Sequence, residues 1–272
     1  MLGAVLEKFV EKSPISVMVR AALERVLGAD RLDLWYERTA QKPYTRDLLC
    51  SRVSDRMNQV VFCIPPSVRA ASQAHHNDGG TSLVSVYTKL HGLETHTAAE
   101  LVRDSARACA PLITHMGGAR APWLEGSRGK IVDGHCLEAS AHRLQALREA
   151  TGRAWPGKSL GVDEPALGVV TDVLPCDNGH AQARSLCGAV LDTVEASALW
   201  IADRTCCPRA LLCEMAKRGA CCVTRAQQGG PVEIFPPRRS YGRTPTGQGA
   251  QPRVCVGDTH GHKPIFRRLR LQ

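Results

Sequence analysis

The sequence has 272 residues, 43% of them hydrophobic, and a net charge of +9, enough for one large domain or two ordinary ones and too apolar for wholesale disorder. No run approaches the ~18 consecutive apolar residues of a membrane span, and Met1–Arg20, with Glu7 and Glu11 among its apolar residues, lacks the layout of a secretory signal, so a soluble cytoplasmic protein is expected. The positive balance favours an anionic partner, nucleic acid first, and twelve cysteines in a chain this long do not suggest the disulfide framework of a small secreted domain.

Residues 1–116 read as helical. Ala4, Val5, Leu6, Phe9 and Val10 form one apolar stripe, and Val17, Val19, Leu23, Val26 and Leu27 form another that Gly28 ends. Leu48, Leu49, Val53, Met57, Val60 and Val61 recur at helical spacing until Pro65 and Pro66 stop them. Thr97 and Glu100 make a capping-box pattern ahead of Leu101, Val102, Ala106 and Leu112, with Gly117 and Gly118 after the end. A helical domain over residues 1–120 is predicted.

From Trp123 strands alternate with helices, which predicts an α/β layer architecture over residues 121–225. Lys130–Asp133 reads as a short buried strand ending in a carboxylate, followed by a helix over residues 137–150. Residues 158–162 and 167–174 read as two strands around a Glu164-Pro165 turn, and residues 181–194 as a helix. Leu199–Asp203 is a second strand ending in a carboxylate. Pro208 opens a helix carrying Leu211, Leu212 and Met215 that Gly219 closes, and Ala220–Thr224 is a last apolar strand. Residues 226–272 are rich in Gly and Pro and read as loops with short strands or as disorder. From Arg225 onward the basic residues outnumber Glu233 and Asp258 by seven, which is either a solvated tail or a phosphate-contacting surface.

Asp133 and Asp203 share one context: apolar residues, then Asp, then a small or polar turn. In a sheet whose strands lie side by side both carboxylates emerge at one edge, where ligands of open α/β sheets bind. Two facing carboxylates repel, and a hard divalent cation between them removes the repulsion. A pair of such ions activates water and stabilises the leaving oxygen in phosphoryl transfer. The plainer alternative is that each Asp caps its own turn.

Asp133-Gly134-His135-Cys136-Leu137 and Trp200-Ile-Ala-Asp203-Arg204 resemble the first and second acidic motifs of DDE transposases, in particular bacterial insertion-sequence transposases of the IS-four group. Leu34–Ala40 and Tyr44–Leu49 are similar to the N-terminal region of that group, and Gly157–Leu160, Glu164–Gly168 and Gly179–Gln182 to its core. The resemblance implies a helical DNA-binding domain, then an RNase H-like mixed-sheet catalytic domain interrupted by a β-rich insertion that begins near residue 226. It implies Mg2+ or Mn2+ held by Asp133 and Asp203, with cleavage and transfer of DNA strands at the element's ends, by a dimer. His180, Arg184, Arg204, Arg238 and Arg239 are the candidate contacts to double-stranded DNA, and a nucleoid-associated location follows.

The group's third acid lies in a Tyr-x-x-Arg…Glu…Lys motif that this sequence does not contain, and Glu214 and Glu233, the glutamates after Asp203, lack its neighbourhood. The catalytic domain is therefore expected to be incomplete, with the chain stopping inside the insertion, and transposition is not expected from this chain alone. The rival expectations are a non-catalytic DNA-binding fragment that interferes with a full-length transposase, or a product without function. Cys206-Cys207 and Cys221-Cys222 fall at strand and strand-end positions, where Cys serves as a small core hydrophobe. Their spacing does not match a zinc site. His75, His76, His260 and His262 have no partners at meaningful spacing, and the sequence carries neither a Gly-x-Ser-x-Gly elbow nor a Walker-type phosphate loop.

Overall fold

The computed structural model describes residues 11–41, 48–74, 82–137, 157–176, 186–203, 206–225, 233–244, 247–256, 264–267 and 270–271. The chain divides into two compact units at Gly118/Ala119, and it is mixed α/β.

The first unit is helical: α1 (Pro14–Leu27), α2 (Ala29–Thr39), α3 (Cys50–Val61), α4 (Val68–Ala74), α5 (Leu83–His91) and α6 (Thr95–His115). Proline opens α1, where its fixed φ suits the first turn and its missing N–H is not needed. Leu32, Trp35 and Tyr36 put an i, i+3, i+4 stripe of α2 into a core with Cys50. Leu48, Val53 and Val86 make a second cluster. No side chain of its own caps α3; the Asp33 carboxylate of α2 does so, accepting from the Ser51 N–H at 2.9 Å and the Ser51 hydroxyl at 2.7 Å. The Arg31–Asp104 pair at 2.6 Å fastens α2 to α6.

The end of α6 is as the sequence predicts. Gly117 takes φ +70, and Gly118 N–H donates to the Ile113 carbonyl at 2.8 Å, a left-handed glycine cap. Its start is not. Glu94 is the N-cap residue and Thr97 lies inside the first turn, buried, with its hydroxyl on the Glu94 carboxylate at 3.3 Å. Glu94 and Thr97 thus meet in the reverse order of the expected box. The apolar stripe at residues 4–10 lies outside the described residues.

The second unit holds a five-stranded mixed sheet in the order β3-β2-β1-β4-β5. Its strands are β1 (Arg128–Leu137), β2 (Gly157–Glu164), β3 (Val169–Cys176), β4 (Ala198–Ala202) and β5 (Cys221–Thr224). β2 is antiparallel to β1 and β3, whereas β1, β4 and β5 run parallel to one another. α7 (Cys187–Leu191) precedes β4, and α8 (Arg209–Lys217) is the crossover between β4 and β5 that parallel strands require. Period-2 burial of β4 sends Ala198, Trp200 and Ala202 into a core with Val132, Leu160, Val162, Leu211 and Met215. Cys206 and Cys207 belong to the same core, as small hydrophobes.

Residues that composition reads as loops with short strands or as disorder form a second, antiparallel sheet: β6 (Glu233–Thr244), β7 (Gly247–Cys255), β8 (Ile265–Arg267) and β9 (Arg270–Leu271). β6 tolerates Pro236 and Pro237 because its register with β7 is broken between Phe235 and Arg239, where no ladder N–H is called for. The helix expected over residues 137–150 lies largely outside the described residues, where β1 itself runs on to Leu137.

Gly28 joins α1 to α2, and a Cβ there would stand 2.5 Å from the Glu24 carbonyl oxygen. Gly28→Ala is expected to force the two helices apart and destabilise the helical unit by about 1–3 kcal/mol. A lowered urea midpoint at unchanged slope checks this.

Candidate functional site

β1 and β4 lie side by side in parallel register from Arg128↔Ala198 to Val132↔Ala202. The ladder ends at Val132↔Ala202; Asp133 is the next residue of β1, and Asp203 is the first residue beyond β4. Both aspartates are exposed. Asp133 does not end its strand, contrary to the expectation from the sequence. β1 continues four residues beyond it, paired only with β2, and β4 is the strand that stops. On its other side Asp133 faces Gly161 of β2, which has no side chain to crowd the carboxylate.

Asp133 Oδ1 accepts from the Gly134 N–H at 2.8 Å, a local turn-like contact that leaves its other oxygen for another partner. Asp203 opens the turn into α8, with its carbonyl accepting from Cys206 N–H at 3.0 Å. The buried Cys206 and Cys207 side chains hold that turn on the core. Two exposed carboxylates are hard oxygen donors of the kind Mg2+ and Mn2+ take. Mg2+ is commonly held by one or two carboxylates, completed by water and substrate phosphate. The donor set fits such an ion. Among the described residues no group of three or more His, Cys, Asp or Glu side chains converges as a metal centre. Glu214 is engaged with Lys217 at 2.6 Å, and Glu233 starts β6.

Of the expected DNA contacts, His180, Arg184 and Arg204 lie outside the described residues. Arg238 and Arg239 are on β6, Arg239 in register with Gln251. At the opposite end of the same strands lies a charged cluster that sequence reading took for a turn. Arg128 donates to both oxygens of Glu164, at 2.7 and 2.6 Å, and Lys130 Nζ donates to Oε2 at 2.8 Å and to Thr171 Oγ1 at 3.2 Å. Glu195 adds a longer contact to Arg128 at 3.5 Å. Only a lysine within an apolar strand hinted at it. The helical unit has a cleft of about 550 Å3 lined by Leu27, Arg52, Asp55, Arg56 and Phe62 among others.

Comparison with known protein families, with curated proteins and with solved structures yields no match to this chain.

Burial pushes the Glu164 carboxyl upward, and the hydrogen bonds from Arg128 and Lys130 outweigh it, so the group is held below its ordinary value. A carboxyl depressed in the folded state contributes stability that is fully present above the unfolded value of about 4.3 and is lost as pH falls through the lower folded value. Glu164→Gln is expected to flatten the acid limb of the stability profile. At neutral pH it leaves Lys130 buried without its counter-charge, at a cost of about 3–5 kcal/mol. Denaturation measured between pH 2 and 7 checks both.

Proposed function

We propose that this chain is a transposase-like DNA-binding protein whose α/β unit is RNase H-like and keeps two of three cation-holding carboxylates. The observation that carries the reading is that Asp133 and Asp203 each directly follow the last paired residues, Val132 and Ala202, of the β1–β4 ladder. The strand order β3-β2-β1-β4-β5 with β2 alone opposed to β1 supports the same reading, as do the acidic-motif sequences around both aspartates and the net charge of +9. The antiparallel sheet at residues 233–271 agrees with a β-rich insertion.

When bound, a divalent cation would neutralise charge on a phosphodiester and lower the pKa of a coordinated water. The protein's own part is to hold two carboxylates on adjacent strands, one steadied by the Gly134 N–H and the other by a turn packed on the core. Basic residues, exposed Arg225 and Arg253 among them, attract the DNA backbone independently of base sequence. With two acids and without the third motif, the 272 residues are expected to bind duplex DNA and a cation but not to carry out strand transfer.

Mn2+ titration of the full chain, followed by water-proton relaxation, tests the carboxylate pair. Asp133→Asn and Asp203→Asn are each expected to weaken Mn2+ about tenfold or more, while duplex binding at 50 mM salt, measured without metal, is retained or strengthened because a repelling charge is gone. Aspartates that merely cap turns would leave Mn2+ affinity unchanged in both variants, and that result overturns the reading. An affinity for DNA that does not fall with rising salt overturns its second half.

A further inference from the structure

Cys207 and Cys222 are fifteen residues apart with α8 between them, yet their sulfurs stand 3.6 Å from each other. Cys207 is buried on the turn between Asp203 and α8; Cys222 is half-buried on β5, in register with Trp200. Cys222 is held by the parallel sheet, and Cys207 by its burial in the core beside it. We propose that Cys207 and Cys222 are a redox dithiol that a hydroperoxide converts to a disulfide, tying the Asp203 turn to β5.

A disulfide needs the sulfurs at about 2.05 Å, so a closure of roughly 1.5 Å is required. A change of χ1 rotamer in an unbranched side chain moves a sulfur on that scale. Burial and hydrogen bonding to its neighbour push the Cys207 thiol up, and the same contact lowers Cys222. Cys222, half-buried, is the more accessible of the two and the attacking thiol, and the buried Cys207 is its resolving partner. The Cys222 thiolate attacks the hydroperoxide: an S–O bond forms, the O–O bond breaks, and the alcohol or water leaves with one added proton. Cys207 then gives up its proton and attacks Cys222 Sγ; the S–S bond forms and the S–O bond breaks, releasing water. The two thiols lose two electrons and one peroxide gains them. Neither DNA nor the carboxylate site takes part.

Cys221, the neighbour of Cys222, and Cys63 are exposed and serve as internal controls. The test is to treat the reduced full chain with stoichiometric hydrogen peroxide, block the remaining thiols, and map the tryptic peptides without reductant. The peptide holding Cys206 and Cys207 should appear joined to the one holding Cys221 and Cys222, about tenfold faster than Cys63 is oxidised. The link should persist in Cys206→Ser and Cys221→Ser and vanish in Cys207→Ser and Cys222→Ser. Should either buried substitution prevent folding, the other together with the wild-type map decides. A link that survives Cys207→Ser or Cys222→Ser overturns the proposal, as does oxidation of Cys63 and Cys221 while Cys207 and Cys222 stay reduced.

Discussion

Parallel pairing of β1 with β4 is the constraint on which the second unit depends. A slip of one residue in a strand buried on one face would turn every side chain over. Here a slip of β4 would bring the fully buried Trp200 to the surface, and a slip of β1 against β2 would move Lys130 away from Glu164. Apolar burial therefore specifies one register of β1 and the ion cluster the other. Once both are set, chemistry is sorted by strand end. One end carries the Arg128–Lys130–Glu164 cluster, where two cations converge on a buried carboxylate. Toward the other end lie Asp133 and Asp203, both exposed.

Much of this was legible in the sequence, and the failures have physical causes. Apolar periodicity located α1, α3, α8 and the strands of the mixed sheet to within a few residues, because burial on one face leaves that imprint. Gly117 and Gly219 marked two helix ends, since each takes a left-handed φ that only glycine adopts at no cost. The extension of β1 past Asp133 was hidden: Gly134, His135 and Cys136 pair with β2 alone, and a strand with one neighbour needs no continuous apolar run. Glu164 was unreadable because its partners lie 36 and 34 residues upstream, and only the fold makes them neighbours. In the tail the length of the strands was hidden, because Pro236 and Pro237 interrupt the pattern where the ladder with β7 is itself interrupted.

The cysteines show a related economy. Phe, Trp and Tyr make up only 4% of the chain, so the core around Trp200 is completed by small side chains, Ala198, Ala202, Cys206 and Cys207 among them. Small residues let the turn after Asp203 lie close against the sheet, which is what brings Cys207 against Cys222. The same crowding leaves the Trp200 indole N–H buried without a hydrogen-bond partner, an orphan that costs about 1–3 kcal/mol. Apolar burial of a ring this large outweighs that cost, so the residue stays although its polar atom is unmet.

On the proposed reading, the acidic pair and the basic remainder of the chain have opposed relations to DNA. Basic residues draw in a polyanion over distances near the Debye length, about 8–10 Å. Asp133 and Asp203 repel each other and repel any phosphate that approaches them. A divalent cation, if bound, would offset that repulsion, with Asp133 and Asp203 as the residues that would hold it and water or phosphate as the remaining donors. Cation and DNA would then each strengthen the binding of the other by the same factor, as linkage requires. A chain with this donor set is expected to hold the ion weakly alone and more firmly on DNA.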